Sequence, residues 1–298
     1  MKKRYLSLGL MSGTSMDGID ASIIDSNGFD DFRRIYDEFY PYEEDILNNL
    51  LFLREKINNL NDLKLFQPNI LSLEKKITLK HAEISNQILK KYKDVSLIGF
   101  HGQTIYHDAD EKMSRQIGDG RLLSQLTKRE VVYEFRQNDL KQGGQGAPLT
   151  PIFHSIIKND FLNETILLLN IGGIANETII HHDKKFYARD IGPGNCLIDN
   201  WIKLNTNKQF DENGDIAKSG TINKIVLNQG LDFFLNSKLY KKKTYDIKDF
   251  DLSFVRGLSL EDGAATLTEF TAELISKKIS CKKIFVCGGG RKNRFLLD

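Results

Sequence analysis

Met11-Ser-Gly-Thr-Ser-Met-Asp-Gly-Ile-Asp20 decides how the rest of the chain is read. The apolar residues before it predict a strand over residues 5–11. A tight turn follows over 12–18, and the alternating apolar positions of 19–25 predict a second strand, so the unit is a hairpin. Glycines at both ends of the turn would let the backbone approach a phosphate group closely, with N–H groups facing its oxygens. Thr14 and Ser15 add hydroxyl donors. Asp17 would repel a phosphate directly, and so suits Mg²⁺ held between protein and phosphate. A plain hairpin explains the same residues, because Asp-Gly is a common turn pair. Both readings stay open on this stretch alone.

Working outward, residues 33–40 predict a third strand, and 43–57 and 69–91 have helical spacing, the second just after Pro68. Short buried-type strands are expected at 95–100 and 131–135. The first ends in the polar cluster His101-Gly-Gln-Thr104 and the second in Arg136 to Asp139. A glycine-rich loop at 142–148 leads to a helix near 149–158, and the polar stretch 159–163 is the expected domain boundary. The expected domains are therefore 1–160 and 161–298. The second begins with a strand at 165–171, a Gly172-Gly173 turn, and strands at 174–181 and 185–189. That recurrence of strand, glycine turn and strand hints at two related halves. Helices at 195–204, 221–228 and 259–279 precede a last strand at 283–287 and Gly288-Gly289-Gly290.

Composition narrows the class. With 298 residues, 40% hydrophobic and 10% aromatic, the chain can bury a core and is not disordered by composition. Its 42 Lys and Arg nearly balance 40 Asp and Glu. No strong field is expected to draw it to nucleic acid or lipid, and the run Lys241-Lys242-Lys243 reads as solvated surface. Cys196, Cys281 and Cys287 lack the spacing of a disulfide framework or a zinc site, which suits the reducing cytoplasm. The start, Met1-Lys-Lys-Arg, is followed by too short and broken an apolar stretch for a secretory signal. No membrane helix is expected.

Other motifs carry chemistry with bland alternatives beside them. Asn170-Ile-Gly-Gly-Ile-Ala-Asn176 repeats the glycine-turn logic. Gly288 to Gly290 could lie against a flat ligand or allow a sharp bend. Asp190-Ile-Gly-Pro-Gly194 directly follows an expected strand, placing a carboxylate at a loop mouth, where it could accept a proton or cap the turn. The His101 and Arg136 clusters offer donors for hydroxyl, amide and carboxylate groups, or simply loop hydrogen bonds and an ion pair. His101, His107 and Asp108 are expected in a loop without a third metal ligand, and His181-His182 would point to opposite faces of a strand.

In order along the chain, residues 11–20, Gly99-Phe-His-Gly-Gln-Thr104, Gln116-Ile-Gly-Asp119, Phe135-Arg136 with Asp139, Gly143-Gly-Gln-Gly-Ala-Pro148, 170–176, 190–195 and 286–290 resemble the 1,6-anhydro-N-acetylmuramic acid kinases. The resemblance implies an α/β, two-domain actin-like ATPase and sugar kinase fold with a central nucleotide cleft. It assigns Gly13, Thr14, Ser15, Met16, Asp17, Gly18, Ile19 and Asp20 to the first phosphate loop, with Asp17 on Mg²⁺. Gly172 and Gly173 would be the second phosphate segment, and Gly288, Gly289 and Gly290 the adenosine segment. His101, Gly102, Gln103, Thr104, Arg136 and Asp139 would form the sugar side, with Arg136 a candidate for the sugar's carboxylate. Asp190 would be the general base of a reaction that uses ATP and Mg²⁺ to open the anhydro bridge and phosphorylate O6. The product would be N-acetylmuramic acid 6-phosphate, in peptidoglycan recycling. A homodimer is expected by analogy only. Family members continue past the adenosine segment, whereas this sequence stops at Asp298 and carries Arg291 where a small residue is usual. An incomplete C-terminal domain is therefore expected. A catalytically impaired nucleotide-binding protein, or a kinase for another sugar, stands as the alternative.

Overall fold

The computed structural model describes residues 3–13, 15–157, 164–183, 185–242 and 244–298. The expected boundary at 159–163 lies outside the described residues. So do Thr14 of the first glycine turn, Lys158 at the end of an expected helix, Lys243 of the basic run, and Met1 and Lys2 at the start. The chain forms two compact units, Met1–Leu149 and Thr150–Asp298.

In the first unit β1 (Tyr5–Ser12), β2 (Gly18–Ser26) and β3 (Phe32–Pro41) form an antiparallel meander. Helices α1 (Glu44–Lys56), α2 (Leu60–Leu65) and α3 (Gln67–Lys91) then return the chain to β4 (Leu97–Asp108), which lies parallel to β1. Next come β5 (Met113–Ile117), α4 (Gly120–Thr127), β6 (Glu130–Tyr133) and α5 (Gln137–Lys141). The sheet order is β3-β2-β1-β4-β5, with β6 also pairing β4. The meander buries alternate residues, Leu8 and Leu10 from β1 and Ile19, Ala21 and Ile23 from β2. They share one core with Ile46, Leu50 and Leu53 of α1 and Ile70, Leu73 and Ile77 of α3, which recur at helical spacing.

The second unit repeats this path. After α6 (Pro151–Ile157), strands β7 (Ile166–Ile171), β8 (Ile174–Ile180) and β9 (Phe186–Pro193) make another antiparallel meander. Helices α7 (Cys196–Asn205), α8 (Asp215–Ser219), α9 (Lys224–Asn236) and α10 (Leu260–Lys278) lead to β10 (Ile284–Cys287), parallel to β7, and then to α11 (Arg294–Leu297). The sheet order β10-β7-β8-β9 matches β4-β1-β2-β3, so the hint of two related halves holds at the level of topology. The continuous apolar run of β7 reflects cover on both faces. Leu167, Leu169 and Ile171 pack with Ile275 and Leu296, whereas Ile166 and Leu168 pack with Ile157.

Three expectations change. The strand expected to stop at Phe100 continues to Asp108 because β5 pairs with its second half, from Gln103↔Ile117 to Asp108↔Met113. His101 to Thr104, His107 and Asp108 therefore sit on a strand rather than in loops. The strand expected to stop at Arg189 continues to Pro193 because β8 pairs with it as far as Ile174↔Pro193. Asp190 is thus a strand residue. Lastly, most of the Arg136 cluster is helical, since α5 starts at Gln137.

Helix α10 anchors the second unit. Ser259 caps it by accepting from the Asp262 amide at 3.1 Å. Trp201 of α7 donates its indole N–H to the Leu260 carbonyl at 2.9 Å. Gly263 lies flat under that ring, where an added Cβ would fall 2.3 Å from the indole. Gly263→Ala should therefore overpack the α7–α10 contact and destabilise the protein by about 1–3 kcal/mol, despite the better helix propensity of alanine. Urea unfolding checks this, and an unchanged or raised midpoint would refute it.

Candidate active site

The first glycine turn is pinned from within its own unit. Met16 N–H donates to the Gly13 carbonyl at 3.2 Å, and Tyr42 N–H donates to the Asp17 carbonyl at 2.9 Å. The buried Gln103 side chain adds a bond from Nε2 to the Gly13 carbonyl at 2.9 Å. Met16 takes φ 60° and buries its side chain, which leaves Ser15 and Asp17 exposed. Ser15 Oγ donates to Asp17 Oδ1. The two glycines differ. A Cβ on Gly13 would meet only Ser15 Oγ at 3.6 Å, so that backbone is open to a ligand. A Cβ on Gly18 would strike the Tyr40 carbonyl at 2.3 Å, so Gly18 serves strand packing. Ile19 is buried in the core, and Asp20 opens outward on β2.

Of the residues expected on the sugar side, His101, Arg136 and Asp139 form one network through Gly146. Arg136 donates from Nε and Nη2 to His101 Nε2 at 3.2 and 3.0 Å, and from Nη1 to the Gly146 carbonyl at 2.6 Å. His101 Nε2 is therefore the accepting nitrogen, and Nδ1 donates to the Gly102 carbonyl at 2.8 Å. Burial, reinforced by Arg136, lowers the His101 pKa to about 4, so the ring is neutral at pH 7. Asp139 Oδ2 accepts from the Gly146 amide at 2.7 Å and shapes the 143–148 loop. Thr104 Oγ1 accepts from Gln116 Nε2 at 3.0 Å. Gly102 takes φ 70° with the Ile117 carbonyl 2.5 Å from where a Cβ would sit. Gln103 Oε1 is buried with no hydrogen-bond partner among the described residues, next to the Gly13 turn.

In the second unit, the Gly172-Gly173 turn, residues 194–195 and Gly288 to Gly290 converge. The Gly194 and Asn195 amides donate to the Gly173 and Gly172 carbonyls at 2.9 and 2.7 Å. A Cβ on Gly194 would fall 2.2 Å from the Gly172 carbonyl oxygen. Gly288 and Gly290 are packed equally hard against Ile171, whereas Gly172 and Gly289 would meet nothing closer than 3.6 Å. The exposed glycine backbone thus lies at 172 and 289, beside the start of α7.

Asp190 pairs across the sheet with Asn176, just before a bulge in which Ile191 is the additional residue. Its Oδ2 accepts from the Tyr245 amide at 2.9 Å, so it does not cap the turn that follows it. No hydrogen bond from the described residues reaches Oδ1. Burial raises its pKa to about 6, opposed by the Tyr245 hydrogen bond and the charge of Lys278. Beside it opens a basin of about 370 Å³ with Arg189, Lys241, Lys242, Lys277 and Lys278 on its walls. Tyr245 and Lys278 were not among the residues expected from sequence, and no local pattern marks them.

Sequence comparison settles the family. The family model for anhydro-N-acetylmuramic acid kinase matches residues 4–298. The chain belongs to the anhydro-N-acetylmuramic acid kinase family. Proteins named anhydro-N-acetylmuramic acid kinase from Pelagibacter ubique and Zymomonas mobilis are 51% and 39% identical to it. The alignments cover 100% and 97% of this chain and 83% and 82% of theirs. One from Agrobacterium fabrum is 36% identical, over 98% of this chain and 81% of its own. Among solved structures, the activator of the 2-hydroxyisocaproyl-CoA dehydratase from Clostridium difficile, with bound ADPNP, aligns at 12% identity and a TM-score of 0.40. That alignment covers 99% of this chain and 83% of the other. Family membership makes the chain a sugar kinase, and no described helix is long and apolar enough to cross a membrane.

The raised pKa of Asp190 has a cost in stability. An unfolded Asp titrates near 3.8 and the folded one near 6, so folding must bear a buried charge at any pH above about 6. That penalty shrinks as pH falls from 6 and is gone below 3.8, where both states are protonated. Asp190→Asn, which can still accept from Tyr245, should raise stability at pH 7.5 by up to about 3 kcal/mol. Thermal unfolding should show this gain fading towards pH 4; a gain independent of pH would contradict it.

Proposed function

We propose that the chain uses ATP to open the 1,6-anhydro bridge of 1,6-anhydro-N-acetylmuramic acid in the cytoplasm and to phosphorylate O6. The product is N-acetylmuramic acid 6-phosphate, recovered from peptidoglycan turnover. Asp190 carries this reading: a half-buried carboxylate, one oxygen fixed by Tyr245 and the other without a donor among the described residues, on the strand that runs into the second glycine patch.

The chemistry needs such a group. In this sugar O6 is bound to C1, so no hydroxyl is free to be phosphorylated. Asp190 takes a proton from water through Oδ1 as the water oxygen bonds to C1. The C1–O6 bond breaks with its electron pair going to O6, and O6 bonds to the γ-phosphorus of ATP as ADP leaves. A base with a pKa near 6 is largely ionised at pH 7 and stronger than an ordinary Asp.

The open backbone at Gly13 and at Gly172 is suited to phosphate oxygens, and that at Gly289 to the adenosine. Mg²⁺, when bound, would offset phosphate charge. Asp17 fits it as a single exposed carboxylate beside the first turn, since Mg²⁺ takes one or two carboxylates with phosphate oxygens and water. Arg136 and Asp139 act by fixing the 143–148 loop and the neutral His101, which presents the sugar-side wall.

Incubation with Mg-ATP and 1,6-anhydro-N-acetylmuramic acid in heavy-oxygen water tests the sequence of bonds. Mass spectrometry should show a product that has gained water and a phosphoryl group, with the label at C1. Gain of a phosphoryl group alone would exclude bridge opening. Asp190→Asn should keep its affinity for Mg-ATP while kcat falls about 10²–10⁴-fold.

A further inference from the structure

Of the five cations around the basin beside Asp190, three are already neutralised. Arg189 Nε lies 2.7 Å from Glu177, Lys242 lies 2.7 Å from Asp249, and Lys277 pairs with Glu273. Lys278 and Lys241 have no carboxylate at ion-pair distance among the described residues. We propose that Lys278, assisted by Lys241, seats the carboxylate of an acidic sugar substrate next to Asp190. This rests on the reading of the site as one for a sugar.

Lys278 is built into place. Its ammonium lies 4.6 Å from the centre of the Tyr240 ring and 5.6 Å from that of Tyr245, with the Tyr245 hydroxyl at 3.5 Å. Tyr245 also supplies the amide that holds Asp190, so base and ammonium hang from one residue. Partial burial of Lys278, with the nearby charge of Arg189, pushes its pKa down. An arriving carboxylate would give it a close counter-ion.

Two alternatives fit less well. Arg136, the other cation suited to a carboxylate, already donates to His101 and to the Gly146 carbonyl. Nucleotide phosphate is disfavoured by position. Asp190 is roughly 10 Å along β9 from Gly194 at the glycine patch, and Arg189 and Tyr187 of the basin lie further away still.

Calorimetry with a non-hydrolysable ATP analogue present can compare 1,6-anhydro-N-acetylmuramic acid with the methyl ester of its lactyl carboxylate. The wild type should bind the acid about tenfold more tightly than the ester. Lys278→Met should reduce the acid to the affinity of the ester, leaving the ester and Mg-ATP unaffected, and Lys278→Arg should restore the preference. Equal binding of acid and ester by the wild type overturns the proposal. So does a preference that survives Lys278→Met, a loss that falls on Mg-ATP, or no binding of either sugar. Turnover is measured separately: preference for the acid without ADP release would defeat the kinase reading and leave the carboxylate seat standing.

Discussion

The Asn195 amide meets the Gly172 carbonyl at 2.7 Å, and the second unit is arranged around that contact of two backbones. It requires glycine at 194, because any Cβ there would sit 2.2 Å from the Gly172 oxygen. It also sets the end of β9 against the β7–β8 turn, beyond the bulge at Ile191 that brings Asp190 opposite Asn176. Gly288 and Gly290 close the junction from β10 by packing on Ile171. Packing thus explains Gly194, Gly288 and Gly290, whereas Gly172 and Gly289 keep their backbones open.

Asp190 shows the opposing demands on a carboxylate proposed as a base. Full exposure would leave it an ordinary carboxylate, weak as a proton acceptor, and full burial without partners would neutralise it at pH 7. The Tyr245 amide and the charge of Lys278 oppose the burial, and the outcome lies near pKa 6. Nearby Arg189 does not add a free charge, because Glu177, fully buried, holds it at 2.7 Å. Glu177 itself keeps Oε2 buried without a partner among the described residues, which is a destabilising arrangement tolerated beside the basin.

The hairpins were legible in the sequence because period-two alternation and a glycine turn are local signals, and α3 and α10 because their apolar residues recur over many turns. The full lengths of β4 and β9 were not. His101-Gly-Gln-Thr104 and Asp190-Ile-Gly-Pro193 look like loop sequences, and they are extended only because β5 and β8 pair with them. Asp190 was singled out by its place before Ile-Gly-Pro-Gly194, and its proposed role came from family resemblance. Its hydrogen-bond donor, Tyr245, is 55 residues away, in a stretch of short 3₁₀ turns at 239–241 and 247–249 with no strong pattern. Lys278 ends a helix whose apolar face draws attention to the opposite side.

The two glycine turns sit at equivalent places in a repeated topology, yet they are held in different ways. Backbone amides from residues 194 and 195 brace the second turn, so its shape depends on glycine being present at its neighbour. In the first, the Gln103 side chain reaches from β4 to the Gly13 carbonyl, in line with Ser12↔Gln103 pairing at the bulged end of β1 and β4. A side-chain brace leaves Gln103 Oε1 buried and unmatched beside Gly13, whereas a backbone brace leaves no such group. That unmatched acceptor is a cost the first turn bears for its side-chain brace. The first turn therefore depends on a side chain from a neighbouring strand, and the second on the absence of one at residue 194.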